Sequence, residues 1–182
     1  MSSEIVGTSP YRFQMLISRD ELRDKVAKVA SRLREEYRDK KPIFVGVLNG
    51  SFIYMADLIR ATSIPCEVDF IKLSSYRDEM TSGKIALLKD VDAKLTGRHV
   101  ILVEDIVDSG NSLAFLRQHI DSKNPASVVM TAMFIKQCSK AAGAEVEYPG
   151  MEIPDEFVVG YGLDYAQQWR QLPDLYALIE DK

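Results

Sequence analysis

The sequence is poor in the residues on which several kinds of chemistry depend. Its two cysteines, Cys66 and Cys138, are too few for a disulfide framework, and neither sits in a metal-ligand spacing. Reduced thiols, each packed as a small apolar side chain in a cytoplasmic protein, are the expectation. The two histidines, His99 and His119, are far apart in sequence, which argues against a histidine-based zinc site or a hydrolytic triad. No uninterrupted apolar run approaches the roughly 20 residues that a membrane-spanning helix needs. The first residues include Glu4 and no apolar segment, so no signal peptide is visible. Basic residues are in deficit too: 23 Lys and Arg stand against 27 Asp and Glu, a formal net charge of −4. The corresponding pI of about 5.3 lacks the electrostatic footprint of a general nucleic-acid binder. Neither a nucleic-acid nor a membrane partner is expected. Repeats and low-complexity segments are also missing.

What is present is an ordinary globular mixture. The 182 residues are 46% apolar and 27% charged, which suits one domain with a sizeable core. Met1 to Ser9 reads as a loose tail and Tyr11 to Ile17 as a short strand. Ser18 and Glu21 form a capping box ahead of a helix to about Tyr37, with Leu22, Val26, Val29, Ala30, Leu33 and Tyr37 on one face. Ile43 to Leu48 is a buried strand, Asn49-Gly50-Ser51 a turn and Phe52 to Ala61 a helix. Cys66 to Leu73 is a strand carrying Asp69, a buried carboxylate that requires a partner. Arg77 to Gly83 is too polar to pack and reads as a mobile loop, with Lys84 to Lys89 as the returning strand and Val91 to Arg98 as a connector. Ser127 to Ile135, Phe157 to Tyr161 and Leu175 to Ile179 read as further strands, and Trp169 as a packing residue. Strands alternating with helices predict an α/β fold: a mostly parallel twisted sheet with helices on both faces.

The most informative stretch is His99 to Leu113. The apolar, β-branched run Val100 to Val103 predicts a fully buried strand. Two acids, Glu104 and Asp105, follow, then Ile106, Val107 and a third acid, Asp108. Ser109-Gly110-Asn111-Ser112 leads into an amphipathic helix with Leu113, Leu116 and Ile120 on one stripe. A strand that turns tightly into a helix aims the helix's free N–H groups and its dipole past the strand's carboxyl end, where an anion is favoured. Gly110 allows close backbone approach, and Ser109, Asn111 and Ser112 offer donors. Carboxylates beside such a site make sense if they bind sugar hydroxyls, hold Mg²⁺ or move protons. Ligands of open α/β sheets lie beyond the carboxyl ends of the strands. Leu48, Glu104 to Asp108 and Lys136 all fall at such ends.

Glu104 to Ser112 resembles the phosphoribosyl-pyrophosphate motif of the type I phosphoribosyltransferases. Together with Ile153-Pro154-Asp155-Glu156-Phe157-Val158-Val159-Gly160-Tyr161 it resembles the hypoxanthine (hypoxanthine-guanine) branch of that family, a likeness running from about Lys41 to Asp174. The resemblance implies the family fold: a core over about 41–150, and a small hood from the N-terminal segment and about 151–182. It implies transfer of the 5-phosphoribosyl group from phosphoribosyl pyrophosphate to hypoxanthine or guanine, giving IMP or GMP and pyrophosphate, with Mg²⁺ as cofactor.

Carried over residue by residue, Asp108 is the general base that takes the N7 proton. Leu48, Asn49 and Gly50 with a cis Leu48–Asn49 bond, the lid pair Ser75 and Tyr76, Glu104, Asp105, Asp108 to Ser112 and Arg170 bind phosphoribosyl pyrophosphate. Ile106, Lys136, Phe157 and Val158 bind the purine, with Lys136 on its 6-oxo group. Glu104, Asp105 and Asp164 serve the metal ions. Asn49 stands where many relatives carry a basic residue, and Lys140 where relatives often carry arginine. Relatives form dimers and tetramers, so a homodimer or homotetramer is implied. Two other functions fit the same fold: a transferase for xanthine or another base, and an RNA-binding regulator, which the acidic pI disfavours.

Overall fold

The computed structural model describes residues 5–8, 11–75, 85–108, 110–141 and 145–179. Tyr76 of the expected lid with the whole loop Arg77 to Gly83, and Ser109 of the phosphate turn, lie outside the described residues. Ser75 and Asn111 are described by their backbone alone.

A six-stranded sheet forms the body. Its order is β5 (Ile85–Lys89), β4 (Glu67–Ser75), β3 (Ile43–Leu48), β6 (His99–Val107), β7 (Ser127–Lys136) and β8 (Tyr148–Ile153). All neighbours are parallel except the β4–β5 pair at one edge. In β6 the two-residue period sends Ile101 and Val103 to one face and Val100 and Leu102 to the other. The first face meets α1 (Arg19–Tyr37) and α2 (Phe52–Thr62); the second meets α3 (Asn111–Asp121) through Leu113, Leu116 and Ile120. All six residues of the α1 stripe are buried, and Ser18 and Glu21 make both halves of the capping box.

A second sheet, four-stranded and antiparallel, has the order β1 (Ile5–Thr8), β2 (Tyr11–Ile17), β10 (Leu175–Leu178) and β9 (Val158–Val159). Arg19 ties it to the body: its backbone N–H and guanidinium both donate to Asp174, whose carboxylate is buried. Trp169 packs against Phe13 in the small core of this sheet, as a packing residue should.

Several sequence expectations need correction. Ile5 to Thr8 is not tail but strand, because Val6 and its neighbours pair with β2. The central strand does not stop at Val103. It continues to Val107, so Glu104 and Asp105 lie within it. The strand expected over Phe157 to Tyr161 shrinks to two residues, since Gly160 and Tyr161 take positive φ and turn the chain back. β8 escaped notice because Pro149 and Gly150 interrupt its pattern. Proline is tolerated on an edge strand, and a Cβ on Gly150 would sit 2.5 Å from the Met133 carbonyl. The short helix α4 (Gln137–Ala141) was also missed. Cys138 is exposed rather than packed.

Asp69 finds its partners in the connector. The backbone N–H groups of Asp92 and Ala93 donate to it at 2.8 Å each. Burial pushes its carboxyl up, but these donors, the Phe70 N–H and Lys89 outweigh that and hold it below the usual range.

Candidate active site

The parallel strands β3, β6 and β7 end on the same edge of the sheet; β3 and β6 each feed a turn into a helix, and β7 runs directly into α4. At the end of β3 the Leu48–Asn49 peptide bond is cis. Gly50 follows, buried, and a Cβ there would lie 1.4 Å from Asp105 Oδ2. A carboxylate of β6 thus presses on the backbone of the turn after β3, and only glycine leaves room. From the other side Gly162, at φ +101°, brings its Cα so close that a Cβ would lie 2.1 Å from the Gly50 carbonyl oxygen. Ser51, in the same turn, is fully buried, and its hydroxyl has no partner among the described residues. Asn49 is exposed.

Glu104 and Asp105 stand side by side, Glu104 only 7% exposed. Burial raises the Glu104 carboxyl well above its ordinary range, and the neighbouring Asp105 raises it further. Burial lifts Asp105 as well, against the opposing pull of the Ile106 N–H and Arg170. Two adjacent carboxylates removed from water resist being ionised together. A cation or a set of hydroxyl donors would relieve both. Arg170 donates to the Gly162 carbonyl at 2.8 Å and pairs with Asp164 Oδ1 at 2.7 Å. The other oxygen of Asp164 accepts the Gln167 N–H.

Past the acidic pair, β6 delivers Asp108 to solvent and the chain turns at Gly110, φ +77°. A cavity of about 190 Å³ opens here, lined by Glu104, Ile106, Val107, Asp108, Gly110, Ser112 and Leu113. It lies at the N-terminus of α3, where unpaired N–H groups suit a phosphate. A larger cavity of about 640 Å³ lies elsewhere, between α1, α2 and Leu172. Size favours it, but none of the acidic cluster lines it, and the chemistry belongs to the smaller one.

At the end of β7, Lys136 Nζ sits 3.2 Å from Asp108 Oδ1, with the lysine side chain only 15% exposed. Ser139, fully buried, donates to the carbonyls of both Val107 and Lys136. The Cys138 N–H donates to Asp155, and its thiol to the Asp108 carbonyl. Phe157, 45% exposed, meets Tyr165 edge-on. Val158 is buried in the core against which Ile106 packs.

The sequence-predicted residues therefore fall into two groups. Gly50, Asp105, Asp164 and Arg170 are linked through Gly162, with Glu104 between them and the α3 turn. Asp108, Gly110, Ser112 and Lys136 gather around the α3 turn. Glu104, Asp105 and Asp164 do not converge as a metal cage, and no cluster of three or more ligating side chains occurs among the described residues. Their oxygen donors suit Mg²⁺ all the same, because that ion usually takes one or two carboxylates and completes its shell with water and substrate phosphates. The sequence reasoning missed Ser139 and Gly162. Ser139 carries no motif, and Gly162 could have been suspected only from its place two residues after Gly160.

Comparison with known proteins gives a consistent answer. Residues 18–166 match the model of the "Phosphoribosyl transferase domain" family. A hypoxanthine phosphoribosyltransferase of Salmonella typhimurium is 40% identical over 163 residues, covering 88% of this chain and 92% of that protein. A hypoxanthine-guanine phosphoribosyltransferase of Bacillus subtilis is 38% identical over 161 residues, 88% of this chain and 89% of that one. Among solved structures, a hypoxanthine-guanine phosphoribosyltransferase from Bacillus anthracis superposes with a TM-score of 0.83 at 38% identity, covering 91% of this chain and 96% of that one. A variant of the Trypanosoma cruzi hypoxanthine enzyme, complexed with its product IMP, gives 0.85 at 31% identity over 96% of this chain and 94% of that one.

Proposed function

The chain belongs to the phosphoribosyl transferase family, in its hypoxanthine and hypoxanthine-guanine branch, and on that premise we propose how its residues carry out the reaction. It is a purine salvage enzyme that moves the 5-phosphoribosyl group from phosphoribosyl pyrophosphate to hypoxanthine or guanine, giving IMP or GMP and pyrophosphate. The observation that carries the assignment of roles is the common edge of β3, β6 and β7. It brings an anion-ready turn, an acidic pair, an exposed aspartate and a lysine to one place.

In this arrangement Gly110 to Ser112 and the first N–H groups of α3 bind the 5′-phosphate. Ser109 belongs to the same turn by its place in the motif. Glu104 and Asp105 accept the ribose hydroxyls, and their charge stabilises the positive ribose ring of the transition state. Leu48 to Gly50 present backbone groups to the pyrophosphate, Ser51 adds a hydroxyl donor, and Arg170 adds charge. Ser75 and Tyr76 add contacts to it by their place in the family motif. Phe157 and Ile106 flank the base and the Val158 backbone reads its edge. Lys136 donates to the 6-oxo oxygen. Asp108 takes the N7 proton as general base. Asp164, with Glu104 and Asp105, would hold Mg²⁺, which when bound would neutralise charge on the departing pyrophosphate. The four-stranded sheet is the hood that carries Phe157, Val158, Asp164 and Arg170.

The test is product formation. With phosphoribosyl pyrophosphate, Mg²⁺ and hypoxanthine, IMP and pyrophosphate should appear in equal amounts. A chelator should abolish the reaction and added Mg²⁺ should restore it. Absence of IMP under saturating conditions would remove the assignment.

A further inference from the structure

Lys136 and Asp108 are assigned separate tasks above, yet in the free chain they hold each other. Their contact, 3.2 Å between Nζ and Oδ1, joins a sheltered lysine to an aspartate that is 66% exposed, so only one of the two side chains is as mobile as in an ordinary surface ion pair. The lysine is mostly buried. The strands that bear the two residues are pinned where they end: Ser139 Oγ reaches the Val107 carbonyl at 3.1 Å and the Lys136 carbonyl at 2.7 Å. Cys138 adds its thiol to the Asp108 carbonyl and its N–H to Asp155. Asp155 in turn feels Lys136 as a neighbouring positive charge. The positions of the two residues relative to each other are therefore set by the backbone, while the Asp108 side chain itself stays open to solvent.

We propose that the Lys136–Asp108 contact is a latch that couples recognition of the 6-oxo group to proton removal. While Lys136 donates to Asp108, the carboxylate is turned to the ammonium rather than to the base. A 6-oxo oxygen competes for the same ammonium, whose three N–H groups donate and cannot accept, and drawing Nζ toward the base lengthens its contact with the carboxylate. Asp108 is then free for the adjacent N7–H. The proton passes to the carboxylate, and the N–H electron pair stays in the ring. N9 forms the bond to C1′ while the C1′–O bond to pyrophosphate breaks, its electrons leaving with the pyrophosphate. Adenine presents an amino group at position 6, which offers the ammonium nothing to accept its hydrogen bond. The latch stays shut, so adenine is rejected in turnover as well as in binding. The inference rests on the roles proposed above for Asp108 and Lys136.

A kinetic split separates the latch from a lysine that only reads the base. In Lys136→Gln the charged donor that holds Asp108 is gone and at most a neutral amide replaces it, so kcat with adenine should rise about 10-fold, the low end of what losing a hydrogen bond between charged groups gives. Adding Asp108→Asn to that variant should remove the gain. Ser139→Ala keeps both side chains and loosens their register; it should raise adenine kcat in the same direction by a smaller factor, with KM for phosphoribosyl pyrophosphate unchanged. An unchanged adenine kcat in Lys136→Gln and in Ser139→Ala overturns the latch and leaves the general-base role intact, provided Asp108→Asn alone loses hypoxanthine turnover. If Asp108→Asn alone keeps that turnover, the base assignment falls and the latch falls with it.

Discussion

At the scale of single residues, Asp108 and Lys136 divide the chemistry of the purine. Asp108→Asn keeps the size of the side chain and removes its basicity. Turnover with hypoxanthine should fall by roughly 10²–10⁴, the usual worth of a positioned base, while KM for both substrates changes less. Steady-state kinetics at saturating phosphoribosyl pyrophosphate check this, and near-native turnover would assign the proton to another group. Lys136→Gln exchanges a pure donor for an amide that can turn either oxygen or nitrogen to the ligand. It should lower kcat/KM with hypoxanthine and shrink the preference for hypoxanthine over adenine. An unchanged ratio would transfer discrimination to the backbone at Val158.

At the scale of elements, the site depends on how closely three turns approach. Gly50→Ala puts a methyl where the Asp105 carboxylate now lies. Asp105 must move, and displacement of a positioning group by about 1 Å can cost 10²-fold. The loss should appear in kcat/KM for phosphoribosyl pyrophosphate more than in thermal stability. Gly162→Ala meets backbone instead, the Gly50 carbonyl, from a positive φ. It should cost about 1–3 kcal/mol of stability, a fall of about 2–4 °C in Tm per kcal/mol for a chain of this size. Unchanged melting in Gly162→Ala would mean the hood loop does not rest on the turn as described.

These contacts mark the limit of what the sequence could disclose. The capping box at Ser18, the α1 stripe and the strand–turn–helix units were legible because each rests on local periodicity or on residues within one turn. The family motif made the acidic pair and the phosphate turn legible as well. β8 was not, because Gly150 answers to the close approach of Met133 and Pro149 breaks the strand pattern beside it. Nor could the distant partners of Asp69 be named, since two of them are backbone N–H groups more than 20 residues away. Ser139 was silent for the same reason: a buried hydroxyl that joins two strand ends has no sequence signature.

At the scale of the whole molecule, a charged cluster behind the site joins the connector after β5 to α3. The Asp90 carboxylate accepts from His119 and from Lys123 at 2.9 and 2.7 Å. Burial pushes it up, but Lys123, His119 and the Val91 N–H together bring it down to about 2. A carboxyl lowered on folding stabilises the native state above its unfolded value, about 3.9, and that contribution is lost as the pH falls through about 2. Acid unfolding of the native chain should therefore steepen between about pH 4 and 2, and Asp90→Asn should flatten that part of the curve. The same slope in both would place the acid sensitivity in other carboxylates.

The most direct measurement of what the molecule does is competition between bases. Hypoxanthine and adenine are offered together with phosphoribosyl pyrophosphate and Mg²⁺, and the ratio of IMP to AMP gives the ratio of their kcat/KM values. A site whose buried donor needs a 6-oxo acceptor should favour hypoxanthine by about 10⁴ or more. Comparable amounts of IMP and AMP, or no IMP at all, would contradict a 6-oxopurine transferase built on Lys136 and Asp108.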